Sequence, residues 1–243
     1  MKKFLPNEKK LVCWMSEQQS LLSLPVTIWR DLASQGKTKI ISEAKTSSCI
    51  SFILSESSLF VWQDHFLMIT CGNGEPLETL CAVEQLTDKT ISGFLYVPNK
   101  LNNTDTSRLK ERFPDFNFTI QGGEIFGATK RITYPSTTHL MMSDFPESIR
   151  TVLFSGSRLQ IRRLFADIFT DYLLDDHRFE PHGYSINGIK EDDYITVHIT
   201  PQMPWNCMSF ETNSAKAQRY VESLLESLGP NHHKVQVSQP FCS

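Results

Sequence analysis

The 243 residues carry 40% hydrophobic and 21% charged side chains, a composition that suits a globular protein able to bury a substantial core as one domain, residues 1–243, or as two fused similar halves. A formal net charge of −3, with no basic stripe interleaved with aromatics, argues against nucleic acid as a partner. The first ten residues hold lysines but no apolar core, and no later stretch is long enough to cross a bilayer, so a cytoplasmic chain with no membrane partner is expected.

In chain order, alternation and turn signals predict strands over about 49–54, 58–62 and 65–71, the last two joined as a hairpin across Gln63-Asp64. Pro76 opens a helix carrying Leu77, Leu80, Val83 and Leu86. A strand around Phe94 to Val97, a short helix around Thr106 to Phe113 and strands near 124–133 and 138–143 complete the first half. The 3.6-residue rhythm of Ile161, Leu164, Phe165, Ile168, Phe169, Tyr172 and Leu173 predicts one long helix from Arg158 to Leu174. Strands return near 183–187, 194–200 and 206–211, followed by a helix with Tyr220, Val221, Leu224, Leu225 and Leu228, stopped by Gly229-Pro230, and a strand Val235 to Ser238. The order in the second half echoes the first, as after an old duplication, and antiparallel strands with helices outside them point to an α+β layered sandwich.

Six cysteines are scattered with no Cys-x-x-Cys pair, which favours reduced thiols. Asp175, Asp176, His177 and His182 lie close together and His232-His233 are adjacent, yet no spacing matches a standard ligand set, so no metal is expected. On the strand Tyr194 to Thr200, Tyr194, Thr196, His198 and Thr200 share one face, which puts His198 on a polar layer.

The segments Leu54-Ser55-Glu56-Ser57-Ser58-Leu59-Phe60, Phe66-Leu67-Met68-Ile69-Thr70-Cys71-Gly72 and Phe179-Glu180-Pro181-His182-Gly183-Tyr184-Ser185-Ile186-Asn187-Gly188 stand in the order found in one family. With the stretch Tyr194 to Asn213, the chain resembles S-adenosylmethionine decarboxylases of the eukaryotic, pyruvoyl-dependent type. The resemblance implies an α/β/β/α sandwich of two antiparallel sheets with helices outside and two related halves, the second appearing shortened. It also implies autocatalytic cleavage between Glu56 and Ser57, which converts Ser57 to a pyruvoyl group. A keto group conjugated with an amide forms a Schiff base with a substrate amine and takes up the electrons released with CO2, so neither pyridoxal phosphate nor a metal is called for.

By the same resemblance Ser185 and His198 serve the self-cleavage, Cys71 is the proton donor after decarboxylation, and Glu8 is a catalytic carboxylate near the amino terminus. Phe4 and Phe179 match the rings that sandwich adenine, the backbone of Glu56 approaches the adenine edge, and Gln202 stands where the family has a ribose-binding glutamate. Leu5 replaces a second carboxylate. Of the acids that hold the activator putrescine in many relatives, Glu211 is matched and Val12 is not, so putrescine activation is not expected. The implied substrate is S-adenosylmethionine and the implied process is spermidine and spermine synthesis; a homodimer is allowed. Two alternatives stay open: a pyruvoyl-dependent decarboxylase of ornithine or arginine, and a non-catalytic homologue that regulates an active subunit.

Overall fold

A computed structural model describes residues 8–16, 20–55, 57–201, 206–238 and 241–242. Phe4, Leu5, Glu56 and Gln202 lie outside the described residues. The first half contains strands β1 (Lys9–Met15), β2 (Ile40–Lys45), β3 (Ile50–Leu54), β4 (Ser57–Val61), β5 (His65–Thr70), β6 (Ile91–Val97), β7 (Asn117–Gln121) and β8 (Glu124–Ala128). Helices α1 (Val26–Gln35), α2 (Pro76–Thr87) and α3 (Asn103–Arg112) accompany them. After the short β9 (Thr133–Tyr134), the second half contains β10 (Thr138–Ser143), β11 (Leu173–Arg178), β12 (Tyr184–Lys190), β13 (Asp193–Pro201), β14 (Asn206–Thr212), β15 (His232–Val237) and the short β16 (Phe241–Cys242). Its helices are α4 (Glu147–Ser155), α5 (Arg158–Ala166) and α6 (Ala217–Leu228).

Two antiparallel sheets result, one ordered β2-β3-β4-β5-β1-β6-β8-β7 and the other β11-β12-β13-β14-β10-β15. The second repeats the first through six positions: β10 inserts between β14 and β15 as β1 inserts between β5 and β6. Among the described residues only the first sheet continues with a further hairpin, β8-β7.

Three apolar layers hold this arrangement. Leu11, Cys13, Leu59, Val61 and Met68 face outward from the first sheet onto Trp29, Leu32, Leu80 and Val83 of α1 and α2. Ile195, Val197, Ile199, Met208 and Phe210 face outward from the second onto Phe165, Tyr220, Val221 and Leu224. The alternate positions, Val12, Trp14, Phe60, Trp62, Leu67 and Ile69 with Ile189 and Tyr194, fill part of the gap between the sheets. Strands buried on both faces read as nearly continuous apolar runs, as β3, β4 and β5 do. The α/β/β/α sandwich expected from the sequence is therefore the observed architecture.

The predicted long helix is a correction. α5 ends at Ala166, and Leu173 to Arg178 form the edge strand β11 paired with β12. Phe165, Phe169 and Tyr172 still reach the core, the last two from successive turns that carry Asp167, Thr170 and Asp171, poor helix formers. Asp176 on β11 is held by Arg158, Arg162 and Tyr184, so an acid of the strand anchors it back onto the helix. The sequence reading also passes over β1, α1, β2, β7 and α4, while the hairpin at Gln63-Asp64 and the stop of α6 at Gly229 are as expected. Cys13, Cys49, Cys81 and Cys207 are free thiols, and no helix among the described residues is long and apolar enough to cross a membrane.

Candidate active site

Register brings the predicted residues of the first sheet together. Thr70, the last residue of β5, pairs with Ser57 at the start of β4 on one side and with Lys9 at the start of β1 on the other. Cys71 follows Thr70 and Glu8 precedes Lys9, so Ser57, Cys71 and Glu8 emerge side by side at one end of three neighbouring strands. Ser57 Oγ lies 3.6 Å from Cys71 Sγ, and Cys71 Sγ lies 3.9 Å from Glu8 Oε1.

The second sheet presents two polar rows to this end. His177, Ser185, His198 and Ser209 are register partners in turn across β11, β12, β13 and β14. Two residues further along, Asn187, Thr196, Glu211 and His139 form a parallel row across β12, β13, β14 and β10. Side chains of successive register partners point to one face, here the gap between the sheets.

His198 is the hinge between the sheets. Ser57 Oγ sits 3.3 Å from both of its ring nitrogens, equidistant and hence not aligned with the lone pair of either. Nε2 also lies 2.8 Å from Ser58 Oγ and 3.0 Å from Thr196 Oγ1, while Nδ1 lies 3.4 Å from Glu8 Oε1. Ser58 donates to Asn187 Oδ1 at 2.6 Å, and Asn187 Nδ2 donates across the gap to the Phe52 carbonyl at 3.0 Å. The imidazole is thereby held by partners on both sheets. Ser185 is buried beside it as its register partner on β12, on the same face.

Glu8 is enclosed. Ser209 donates to Oε1, and His139 Nε2 lies 3.2 Å from Oε2. Burial by itself raises a carboxyl's pKa, but contacts with His139 and His198 outweigh it and hold Glu8 well below the usual carboxylate range. One rung deeper, Lys10 Nζ donates to Glu211 Oε1 at 2.8 Å, and Tyr194 donates to the same oxygen. Burial pushes the Glu211 carboxyl up, yet Lys10 and His139 keep it below its ordinary value. Val12, at the position without an acid, packs in the apolar layer between the sheets.

The backbone of Ser57 is itself unusual, with φ of 145°, a region that side-chain-bearing residues rarely enter. Strain of about 1–3 kcal/mol is typical of such conformations and clusters at functional sites. The described residues thus unite Ser57, Cys71, Glu8, His198 and Ser185. Phe179 lies apart from the Ser57 cluster, half-buried in the loop between β11 and β12 with its ring against His177 at 4.8 Å. His177, against which it packs, stands two strands, about 10 Å, along the row from His198.

Sequence reasoning missed Ser58, Asn187, Ser209 and His139 as members of the cluster. Alternation on β14 would have put Ser209 and Glu211 on one face, but nothing local says that His139 on β10 sits in register with Glu211.

The family model for adenosylmethionine decarboxylase matches residues 2–116 and 129–240. The chain belongs to this family. Among decarboxylase relatives, the S-adenosylmethionine decarboxylase proenzyme of Drosophila melanogaster is 23% identical over 286 residues, covering 97% of this chain and 82% of that protein. The proenzymes of Xenopus laevis and Leishmania donovani are 26% and 27% identical, covering 86% of this chain and 75% and 64% of theirs. The crystal structure of the Trypanosoma brucei AdoMetDC-delta26 monomer superposes with a TM-score of 0.60 at 22% identity, over 74% of this chain and 78% of that one, and shares the decarboxylase fold.

Proposed function

We propose that this chain cuts its own peptide bond between Glu56 and Ser57 and then decarboxylates S-adenosylmethionine, releasing CO2 and supplying the decarboxylated product for spermidine and spermine synthesis. The observation that carries the reading is Ser57: a strained residue whose hydroxyl meets the imidazole of His198 and the thiol of Cys71. The relatives named above are proenzymes, which agrees with a chain that matures by cleavage.

Ser57 Oγ attacks the carbonyl carbon of Glu56, the peptide C–N bond breaks, and the freed amine takes a proton, leaving an ester. Ser185 holds the oxyanion during the attack, and His198 removes the Cα proton so that elimination frees the Glu56 carboxylate. Water then releases ammonia from the new amino terminus and leaves the pyruvoyl group. Ser57 fits this fate because its hydroxyl already sits among the groups that must move protons. In place, such a group supplies a carbonyl for the substrate amine and a sink for the electrons left by CO2.

Cys71 delivers a proton to the substrate carbon, with Glu8 at 3.9 Å as the carboxylate behind the thiol. Phe4 and Phe179 stack on adenine, the Glu56 backbone meets its edge, and Gln202 binds the ribose hydroxyls as a neutral partner. Lys10 already neutralises Glu211, which favours an enzyme independent of putrescine. Adding putrescine is therefore expected to leave the rate of CO2 release unchanged.

The first test is the intact mass of the freshly purified chain under denaturing conditions. Fragments 1–56 and 57–243, the larger lacking one ammonia relative to simple hydrolysis, support self-cleavage; an uncut chain after long incubation sinks it. CO2 release from S-adenosylmethionine but not from ornithine or arginine then supports the substrate, and the reverse overturns it.

A further inference from the structure

Glu8 and Glu211 lie one rung apart in the gap between the sheets, since Ser209, which donates to Glu8, stands two residues before Glu211 on β14. Lys10 stands two residues after Glu8 and donates to Glu211. Among these three groups the charge sums to one excess negative, in a region where an unbalanced charge is costly. His139 adjoins both acids: it is the register partner of Glu211, and its Nε2 lies 3.2 Å from Glu8 Oε2.

The two oxygens of Glu8 are divided between structural and chemical partners. His139 faces Oε2, whereas Oε1 accepts from Ser209 and faces His198 Nδ1 at 3.4 Å and Cys71 Sγ at 3.9 Å. The 3.2 Å contact is an ion-pair distance without hydrogen-bond alignment, and a carboxylate drawn toward a cation at one oxygen has the direction of the other determined. We propose that His139 is a positioning residue which, as an imidazolium, balances Glu8 and Glu211 beside Lys10 and aims Glu8 Oε1 at His198 and Cys71. This rests on the reading of Ser57, Cys71 and His198 given above, because it names what holds the carboxylate of that site in place.

The charged groups around His139 are Glu8 ahead of β1, Lys10 on β1 and Glu211 on β14; its register partner on β15, Gln236, is neutral. Burial and Lys10 push the imidazole pKa down, but Glu8 and Glu211 outweigh them and raise it above the ordinary 6.5. The imidazolium therefore persists to higher pH than that of an ordinary histidine before it is lost.

Two measurements decide the matter. In the Ser57→Ala chain, which stays whole, the His139 imidazole is followed by NMR as pH is varied. A midpoint above 6.5 that falls on Glu8→Gln substitution is expected; a midpoint at or below 6.5, or one indifferent to Glu8, overturns the proposal. In the unsubstituted chain the rate of self-cleavage is recorded against pH beside His139→Gln and His139→Lys. His139→Gln is expected to lower the rate about tenfold to a hundredfold near neutrality and to abolish the fall on the alkaline side. His139→Lys, which keeps a cation that titrates far higher, is expected to restore the neutral rate and carry the fall to higher pH. A merely structural histidine predicts an equal loss at every pH for both variants, and that result overturns the proposal. If the unsubstituted chain never cleaves, the proposed self-cleavage fails, whereas the NMR midpoint and its response to Glu8→Gln still decide the role of His139. The same holds if a His139 variant does not fold.

Discussion

Ser57 combines a rarely populated backbone with a hydroxyl shared between His198 and Cys71. Cutting the bond before it removes the carbonyl carbon against which the strained φ is defined, so the proposed cleavage relieves that strain. Ser57→Ala is expected to remain a single chain by intact mass while folding as the parent does. Cys71→Ala is expected to cut, since Ser57 and His198 remain, but to lose about 10²–10⁴-fold in CO2 release, measured on the processed fragments. Glu8 carries a pH signature of its own: its carboxyl is held below the unfolded value of 4.5, so the stability it contributes is full above 4.5 and lost as pH falls toward the folded value. Urea unfolding should show Glu8→Gln less stable than the parent by about 1–3 kcal/mol at pH 7, with the gap closing below pH 4. At this scale the family's motifs singled out Ser57, Cys71, Glu8, Ser185 and His198, and the fold sets these five near one another. The sequence was silent on Ser58, Asn187, Ser209 and His139, because a serine, an asparagine or a histidine on a strand has no local mark of what stands opposite.

At the scale of the element, alternation located the faces of β13 well, with Ile195, Val197 and Ile199 against the helices and Tyr194, Thr196 and His198 toward the other sheet. The rhythm that predicted a helix to Leu174 was right about burial and wrong about continuity. Turns after α5 keep Phe169 and Tyr172 on the core while Asp176 is taken up by Arg158, Arg162 and Tyr184. The loop that follows depends on Gly183, with φ of 133° and the Phe179 Cβ 3.4 Å from where a methyl group would sit. Gly183→Ala is expected to cost about 1–3 kcal/mol in urea unfolding. Because Gly183 O accepts from the Phe179 amide at 2.9 Å, the same change should displace Phe179 and raise KM for S-adenosylmethionine more than it lowers kcat.

Across the whole molecule, Lys10 on the first sheet and Glu211 on the second make a part-buried ion pair that joins the two layers. Lys10→Met deprives the little-exposed Glu211 of its ion-pair partner and is expected to destabilise by about 1–3 kcal/mol, while the double variant Lys10→Met/Glu211→Leu should recover most of that loss; the midpoints of urea unfolding measure both. A double variant no more stable than the single one would show that the pair does not act as a unit. By itself the sequence determined the layered α+β class, an echo between the two halves and, through the family's motifs, the candidate residues of the site, because periodicity, turn residues and motifs are properties of adjacent positions. Only the tertiary structure decided that Glu8, Cys71 and Ser57 emerge at one sheet end, that His198 meets them from the other sheet, and that His139 and Lys10 balance the acids between. Those contacts depend on strand register and on the packing of sheet against sheet, which bring together residues up to 201 positions apart in the chain.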